Sequence, residues 1–427
     1  MKIGHRRIPG LLLTDHEFQV PLDAARPGGG TISAFAREVS ATERDPAKLP
    51  WMIFFQGGPG YPGPRVLGRL GWIRRAVEDY RVLLLDDRGT GRSEQVCAQS
   101  LARRPSVRER GEYLTHFRAD AIVRDAEHIR RELLGPDGKW TALGQSFGGF
   151  CVTQYLSSAP EGLEAAIITG GLTPLGRTAD EVYRSSHKVL ARKNRLYYER
   201  YPEDRDRVRR IVQALEAEDV RLPCGERLSR RRLLQLGLQF GFHDGFEQVH
   251  YLLETAFVKG RKGPEIGYPF LCDFEALLTY RQAPIFSMLQ EACYTEGPAT
   301  NWAAERIRAE YPEFEGNEPE VLFTGEMMFR WMFEDYAHLR QLREEAEFLA
   351  AYDRWPRMHD VERLGRNEVP AAAVIYADDM YVDRTYSEET AAKIRGLKVW
   401  LTNEYEHNGL RSHGEEVLGK LLSMVKG

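Results

Sequence analysis

Four short apolar runs in the first 170 residues each stop at a glycine-rich turn, a pattern that few folds can accommodate. Trp51–Phe55 ends at Gly57-Gly58-Pro59-Gly60 and Tyr80–Leu85 at Asp86-Asp87-Arg88-Gly89. Trp140–Leu143 ends at Gly144, and Ala165–Thr169 at Gly170-Gly171. Strands buried on both faces read as continuous apolar runs, and stretches of helical spacing between them, such as Phe117–Leu134, serve as crossovers in a parallel sheet. Phe18–Leu22 and Thr31–Ser40 predict two earlier strands, separated by the Pro27–Gly30 turn. In such sheets, functional groups gather just past the carboxyl ends of the strands, so the turns are where chemistry is expected.

The rhythm changes near Arg177. Long charged stretches with helical spacing follow, including Asp180–Tyr201 and Asp204–Glu218, with few strand-like runs. Strands resume with Ala371–Tyr376 and Leu397–Thr402, and Glu415–Val425 closes as a helix. The expected fold class is α/β: a mostly parallel central sheet with helices on both faces, interrupted by a mostly helical cap. The expected division is 1–176 and 326–427 for the sheet domain and 177–325 for the cap. A chain of 427 residues has length to spare for such an insertion.

Composition narrows the partners. Lysine and arginine number 59 against 63 acidic residues, so there is no basic excess to draw nucleic acid. The five cysteines form no CxxC pair and are expected as reduced thiols. The apolar stretch Leu11–Leu13 is too short for a secretory leader, and no run reaches the ~20 residues of a membrane helix. A cytoplasmic location without membrane partners is the expectation, with the oligomeric state left open.

The stretch Gly144-Gln145-Ser146-Phe147-Gly148-Gly149 lies between an apolar strand and a helical pattern, the context in which G-x-S-x-G forms a nucleophile elbow. Ser146 is the candidate nucleophile, and the amide of Phe147 points to the same space. The turn at Gly57-Gly58 can bring a second amide, that of Gly58, close to a developing oxyanion. A serine needs a base, and the base a carboxylate to orient it. In an α/β-hydrolase sheet their chain order is Ser, then Asp or Glu, then His. The strand Ala371–Tyr376 delivers Asp378 and Asp379 at its end. Of eleven histidines only His407 and His413 lie beyond Leu397–Thr402, and His407 is nearer the strand end. Asp379 is preferred over Asp378 because Asp379-Met380-Tyr381-Val382 resembles the D-x-x-V segment that usually follows the acid.

Taken together, Gly57–Gly60, the stretch Asp86-Asp87-Arg88-Gly89-Thr90-Gly91-Arg92-Ser93 and Gly144–Gly149 resemble the proline iminopeptidases (prolyl aminopeptidases), α/β-hydrolases with a helical cap. The family pattern is roughly HGGPG, DQRGxGRS and GxSxGG, and the length fits its larger-cap branch. Gln56 stands where the family usually has histidine, Asp87 where it has glutamine, and Phe147 where tryptophan is frequent. The resemblance implies a serine aminopeptidase that releases N-terminal proline from peptides, with Ser146, His407 and Asp379 as triad and Gly58 and Phe147 as oxyanion donors. It implies Arg88 and Arg92 as structural ties beneath the site. A broader aminopeptidase or a general ester or amide hydrolase is the alternative.

An aminopeptidase must sense the α-amino cation, and an acid among apolar neighbours does this well. Glu291 and Glu326 are the candidates, with Tyr294 as a wall for the proline ring and Phe329 and Trp331 as further aromatic candidates. No HExxH motif or clustered Cys/His spacing is present, so no metal or other cofactor is expected.

Overall fold

The computed structural model describes residues 1–26, 28–261, 263–277, 280, 283–315 and 320–426. Pro27, within the expected turn, lies outside them. Eleven strands occur among the described residues: β1 (Lys2–Ile8), β2 (Leu11–Pro21), β3 (Thr31–Ala41), β4 (Trp51–Phe55), β5 (Arg81–Leu85), β6 (Trp140–Gln145), β7 (Leu163–Thr169), β8 (Phe257–Lys259), β9 (Pro264–Ile266), β10 (Ala371–Tyr376) and β11 (Leu397–Thr402). Nine form one sheet in the order β1-β2-β3-β5-β4-β6-β7-β10-β11, and β8 and β9 pair separately. The first three strands are antiparallel, β3 joins β5 antiparallel, and every pairing from β5 to β11 is parallel.

The apolar runs are continuous because the parallel strands are covered on both faces. Along β4, Met52 and Phe54 pack with Trp72, Val417 and Leu421 on one side, while Ile53 and Phe55 pack with Ile122 and Phe150 on the other. β1 was not foreseen. Its sequence KIGHRRI is charged and almost wholly exposed at the sheet edge, so it carries no burial pattern to read.

Between β7 and β10 the chain is mostly helical, beginning with Ala179–Arg200 and Asp204–Ala217. This is the inserted helical cap. Its aromatic residues Tyr197, Phe240 and Phe323 belong to the same apolar cluster as the sheet face beneath, so cap and sheet share one core. No helix among the described residues is long and apolar enough to cross a membrane.

Candidate active site

β6 ends at Gln145 and the next helix spans Phe147–Ser158, so Ser146 alone makes the turn. It does so at φ 57°, ψ −125°, backbone space that a residue with a side chain enters only under strain. The Ser146 amide donates to the Thr169 carbonyl (2.9 Å), and its own carbonyl accepts from the Gly149 amide (2.7 Å). These bonds hold the strained residue from both sides. The flanking glycines answer to crowding: a Cβ on Gly144 would run into the Gly148 carbonyl, and one on Gly148 into that of Phe55.

β4 lies beside β6, with Phe55 opposite Gly144, so the turn after β4 leaves the sheet next to Ser146. The approach is close enough that a Cβ on Gly57 would sit 3.0 Å from that of Ser146. Phe147 opens its helix and so has no intrahelical acceptor for its amide. Neither that amide nor the Gly58 amide is used by a turn or loop hydrogen bond among the described residues.

β10 and β11, adjacent and parallel, deliver the other two groups from their carboxyl ends. Asp379 is buried, and its Oδ1 accepts from the amides of Tyr381 (2.9 Å) and Val382 (3.0 Å). His407 Nδ1 donates to Asp379 Oδ2 at 2.7 Å, which leaves Nε2 as the ring's remaining nitrogen. The structure separates the two aspartates: Asp378 is half-buried and pairs with Arg192 at 2.6 Å. His413 contacts Ser412 and is not at this pair.

The cap grips the histidine loop. The His407 amide donates to the Gly241 carbonyl (3.2 Å), the His243 amide to Asn408 Oδ1 (2.9 Å), and the buried Lys193 to Glu406 beside the histidine (2.5 Å). Tyr381, in the acid loop, donates its hydroxyl to the Leu238 carbonyl. Such ties limit the drift of an imidazole that must stay within hydrogen-bond reach of its partners.

Ser146, His407, Gly58 and Glu326 all line one cavity of about 220 Å³. Glu326 accepts from Gln290 Nε2 at 3.0 Å. Burial, reinforced by the charge of Asp379 and opposed by the Gln290 hydrogen bond, pushes its carboxyl up to about 8. The structure does not bring Glu291 there. Its carboxylate accepts from the Ala304 amide (2.9 Å) at the start of the helix Ala303–Arg308 and faces a different, small cavity. Tyr294 also lies outside the 220 Å³ cavity and meets it through Gln290, whose Nε2 donates to the Tyr294 hydroxyl at 3.4 Å and to Glu326 at 3.0 Å. Phe329 and Trp331 stack on each other and line no part of it.

A family model described as the alpha/beta hydrolase fold matches residues 50–211. A proline iminopeptidase of Aeromonas sobria is 44% identical over 98% of this chain and 98% of its own. The chain belongs to the proline iminopeptidase family. A second relative, a proline iminopeptidase of Aspergillus aculeatus, is 35% identical over 97% of this chain and 94% of its own. A solved proline iminopeptidase of Mycobacterium smegmatis superposes with a TM-score of 0.43 at 12% identity, covering 96% of this chain and 98% of that one.

In this member of the proline iminopeptidase family the Asp86–Ser93 stretch acts as a brace. Asp86 is held by two Arg65 nitrogens, each at 2.7 Å, and by the Arg92 amide at 2.9 Å. Buried Arg88 pairs with Asp125 and donates to the carbonyls of Leu22 (3.0 Å) and His116 (2.8 Å). Asp87, the departure from the family pattern, is buried with neither carboxylate oxygen hydrogen-bonded among the described residues. Burial, reinforced by the neighbouring Asp86 and Asp125, pushes its carboxyl well above the usual carboxylate range.

Cavity walls that sequence reasoning missed include Tyr61, Leu238, Phe242, Phe286, Tyr381 and Arg411. Local signals existed for two. Tyr61 directly follows the Gly57–Gly60 turn, and Arg411 stands four residues beyond His407.

Proposed function

We propose that this chain is a serine aminopeptidase that releases N-terminal proline from peptides. The observation carrying the reading is the convergence on one cavity of a strained serine, an aspartate-bound histidine and a carboxyl with raised affinity for its proton. Residues 1–176 and 326–427 serve as the catalytic domain and 177–325 as the cap. The five free thiols suit a cytoplasmic setting.

Ser146 Oγ attacks the carbonyl carbon of the N-terminal residue while His407 Nε2 takes the hydroxyl proton. The oxyanion is held by the amides of Gly58 and Phe147, each worth on the order of 3 kcal/mol in such sites. His407 then returns the proton to the departing amine, and the peptide leaves one residue shorter. Water, deprotonated by the same imidazole, hydrolyses the acyl-enzyme to free proline. Asp379 holds the ring in the required tautomer and stabilises the imidazolium. Glu326 receives the substrate's ammonium group. Glu291 is spent on capping a helix and has no part in this reading, and Tyr294 acts only through Gln290.

Hydrolysis of prolyl-p-nitroanilide beside its alanyl, leucyl and N-acetyl-prolyl analogues tests the assignment. The prolyl substrate should lead by about tenfold or more, because the small cavity suits a compact ring. The acetylated form should be barely turned over. Equal rates on free and acetylated substrates would leave a general amide hydrolase instead.

The carboxyl of Glu326 adds a pH signature. Below about pH 8 the empty pocket holds it protonated, so an incoming ammonium group must expel that proton. The ionised fraction approaches a tenfold fall per pH unit below that value, so kcat/KM for free-amine substrates should drop about fiftyfold between pH 8 and pH 6 from this group alone. A Glu326→Gln variant has no such proton to lose. Its weaker activity should follow the shallower profile of an N-blocked ester, and an unchanged steep profile would remove Glu326 from amine recognition.

A further inference from the structure

Among the described residues, the charged groups lining the 220 Å³ cavity, apart from His407, are one acid and one base: Glu326 and Arg411. Arg411 belongs to the short helix Gly409–Ser412, whose first turn is fixed by its own amide donating to the Asn408 carbonyl at 2.7 Å. The residue is exposed while its guanidinium lines the cavity, where burial lowers its affinity for its proton, and among the described residues the guanidinium has neither an ion pair nor a hydrogen bond. Tyr61 stands within electrostatic reach of both groups, Glu326 hindering its ionisation and Arg411 favouring it. The cavity wall therefore carries a carboxyl and a guanidinium that both act on one tyrosine, and Ser146 lines the same cavity.

We propose that Arg411 is a carboxylate-binding specificity residue, and that the preferred substrates carry a carboxylate on the residue following the N-terminal proline. The inference rests on the aminopeptidase reading above. With the amine at Glu326 and the first carbonyl at Ser146, the next group along the substrate is the α-carboxylate of a dipeptide or the side chain of an acidic second residue. A fully extended dipeptide spans about 7 Å. Glu326, Ser146 and Arg411 line one cavity of about 220 Å³. Five fixed donors in a planar fork suit a carboxylate, and a guanidinium facing a half-enclosed space without an acceptor gains when a ligand supplies one.

The test compares kcat/KM for three substrates: Pro-Gly with a free carboxylate, Pro-Gly-amide, and Pro-Asp-amide, whose carboxylate is on the side chain. In the wild-type enzyme Pro-Gly should exceed Pro-Gly-amide by about tenfold or more, chiefly through KM, as expected for a charge-assisted hydrogen bond. In Arg411→Ala that ratio should collapse to within about twofold, and in Arg411→Lys it should stay intermediate. The ratio is internal to each variant, so a partial loss of folded enzyme does not affect it. Pro-Asp-amide tracking Pro-Gly would assign the preference to any nearby carboxylate, whereas Pro-Asp-amide tracking Pro-Gly-amide would assign it to a chain terminus. A wild-type ratio near one, or a ratio that survives Arg411→Ala, overturns the proposal. Turnover of Pro-Gly-amide without any carboxylate preference leaves the aminopeptidase standing. Failure to cleave all three would point instead to the aminopeptidase reading itself.

Discussion

Ser146→Ala is expected to lower kcat on prolyl-p-nitroanilide by roughly a millionfold, the scale at which loss of a triad serine acts in comparable enzymes. The structure makes the substitution a clean one. Alanine retains the Cβ that already exists at φ 57°, so the strained turn is neither relieved nor worsened. The hydrogen bonds that hold the turn, to Thr169 and from Gly149, come from the backbone and survive. The variant should therefore fold, keep its thermal midpoint within a few degrees, and still bind substrate, since Glu326 and the oxyanion amides are untouched. Residual catalysis of about 10³–10⁴ over water should persist from those donors and from positioning. Single-turnover kinetics with freshly purified variant would check this, and full turnover would remove both the nucleophile and the acyl-enzyme.

The difference between what was readable in advance and what was not follows the range of the interactions. The elbow around Ser146 is a local structure: the glycines at 144 and 148 are dictated by carbonyls within or beside the same turn, so five consecutive residues announce it. The pairing of Asp379 with His407 was readable through topology, because β10 and β11 are adjacent and parallel and end at the loops that carry the two residues. The choice between Asp378 and Asp379 turns on a single step of the backbone, which sends one side chain to Arg192 at the surface and the other to His407. Glu291 and Glu326 illustrate the limit. Both are acids among apolar neighbours, and nothing in their immediate sequence separates them. Ala304, thirteen residues beyond Glu291, takes one of them, while Gln290 and the cavity take the other. The walls contributed by Leu238 and Phe242 depend on cap segments packing over Tyr381, a long-range contact that no local pattern encodes.

Asp379→Asn should cost about 10⁴-fold in kcat with little loss of fold, because the geometry forces the wrong histidine tautomer. The Asp379 carboxylate accepts three hydrogen bonds, two from the amides of Tyr381 and Val382 on Oδ1 and one from His407 on Oδ2. An asparagine has one oxygen, and two backbone N–H groups that cannot lose their protons claim it. The amide nitrogen is then left facing His407 Nδ1, where it can only donate. Nδ1 must become the acceptor, so the ring proton moves to Nε2, and a protonated Nε2 cannot take the proton of Ser146. The expected loss is thus chemical and not conformational, of the size seen when a triad aspartate becomes asparagine. Asp378→Asn provides the comparison. It removes one exposed ion pair with Arg192, worth roughly 0–1 kcal/mol in stability, and should change kcat by no more than about twofold. Parallel measurement of the two neighbours under substrate saturation decides the matter. Equal effects at 378 and 379, or an Asp379→Asn enzyme keeping more than about a tenth of wild-type kcat, would dissolve the pairing of acid and base on which the proposed chemistry depends.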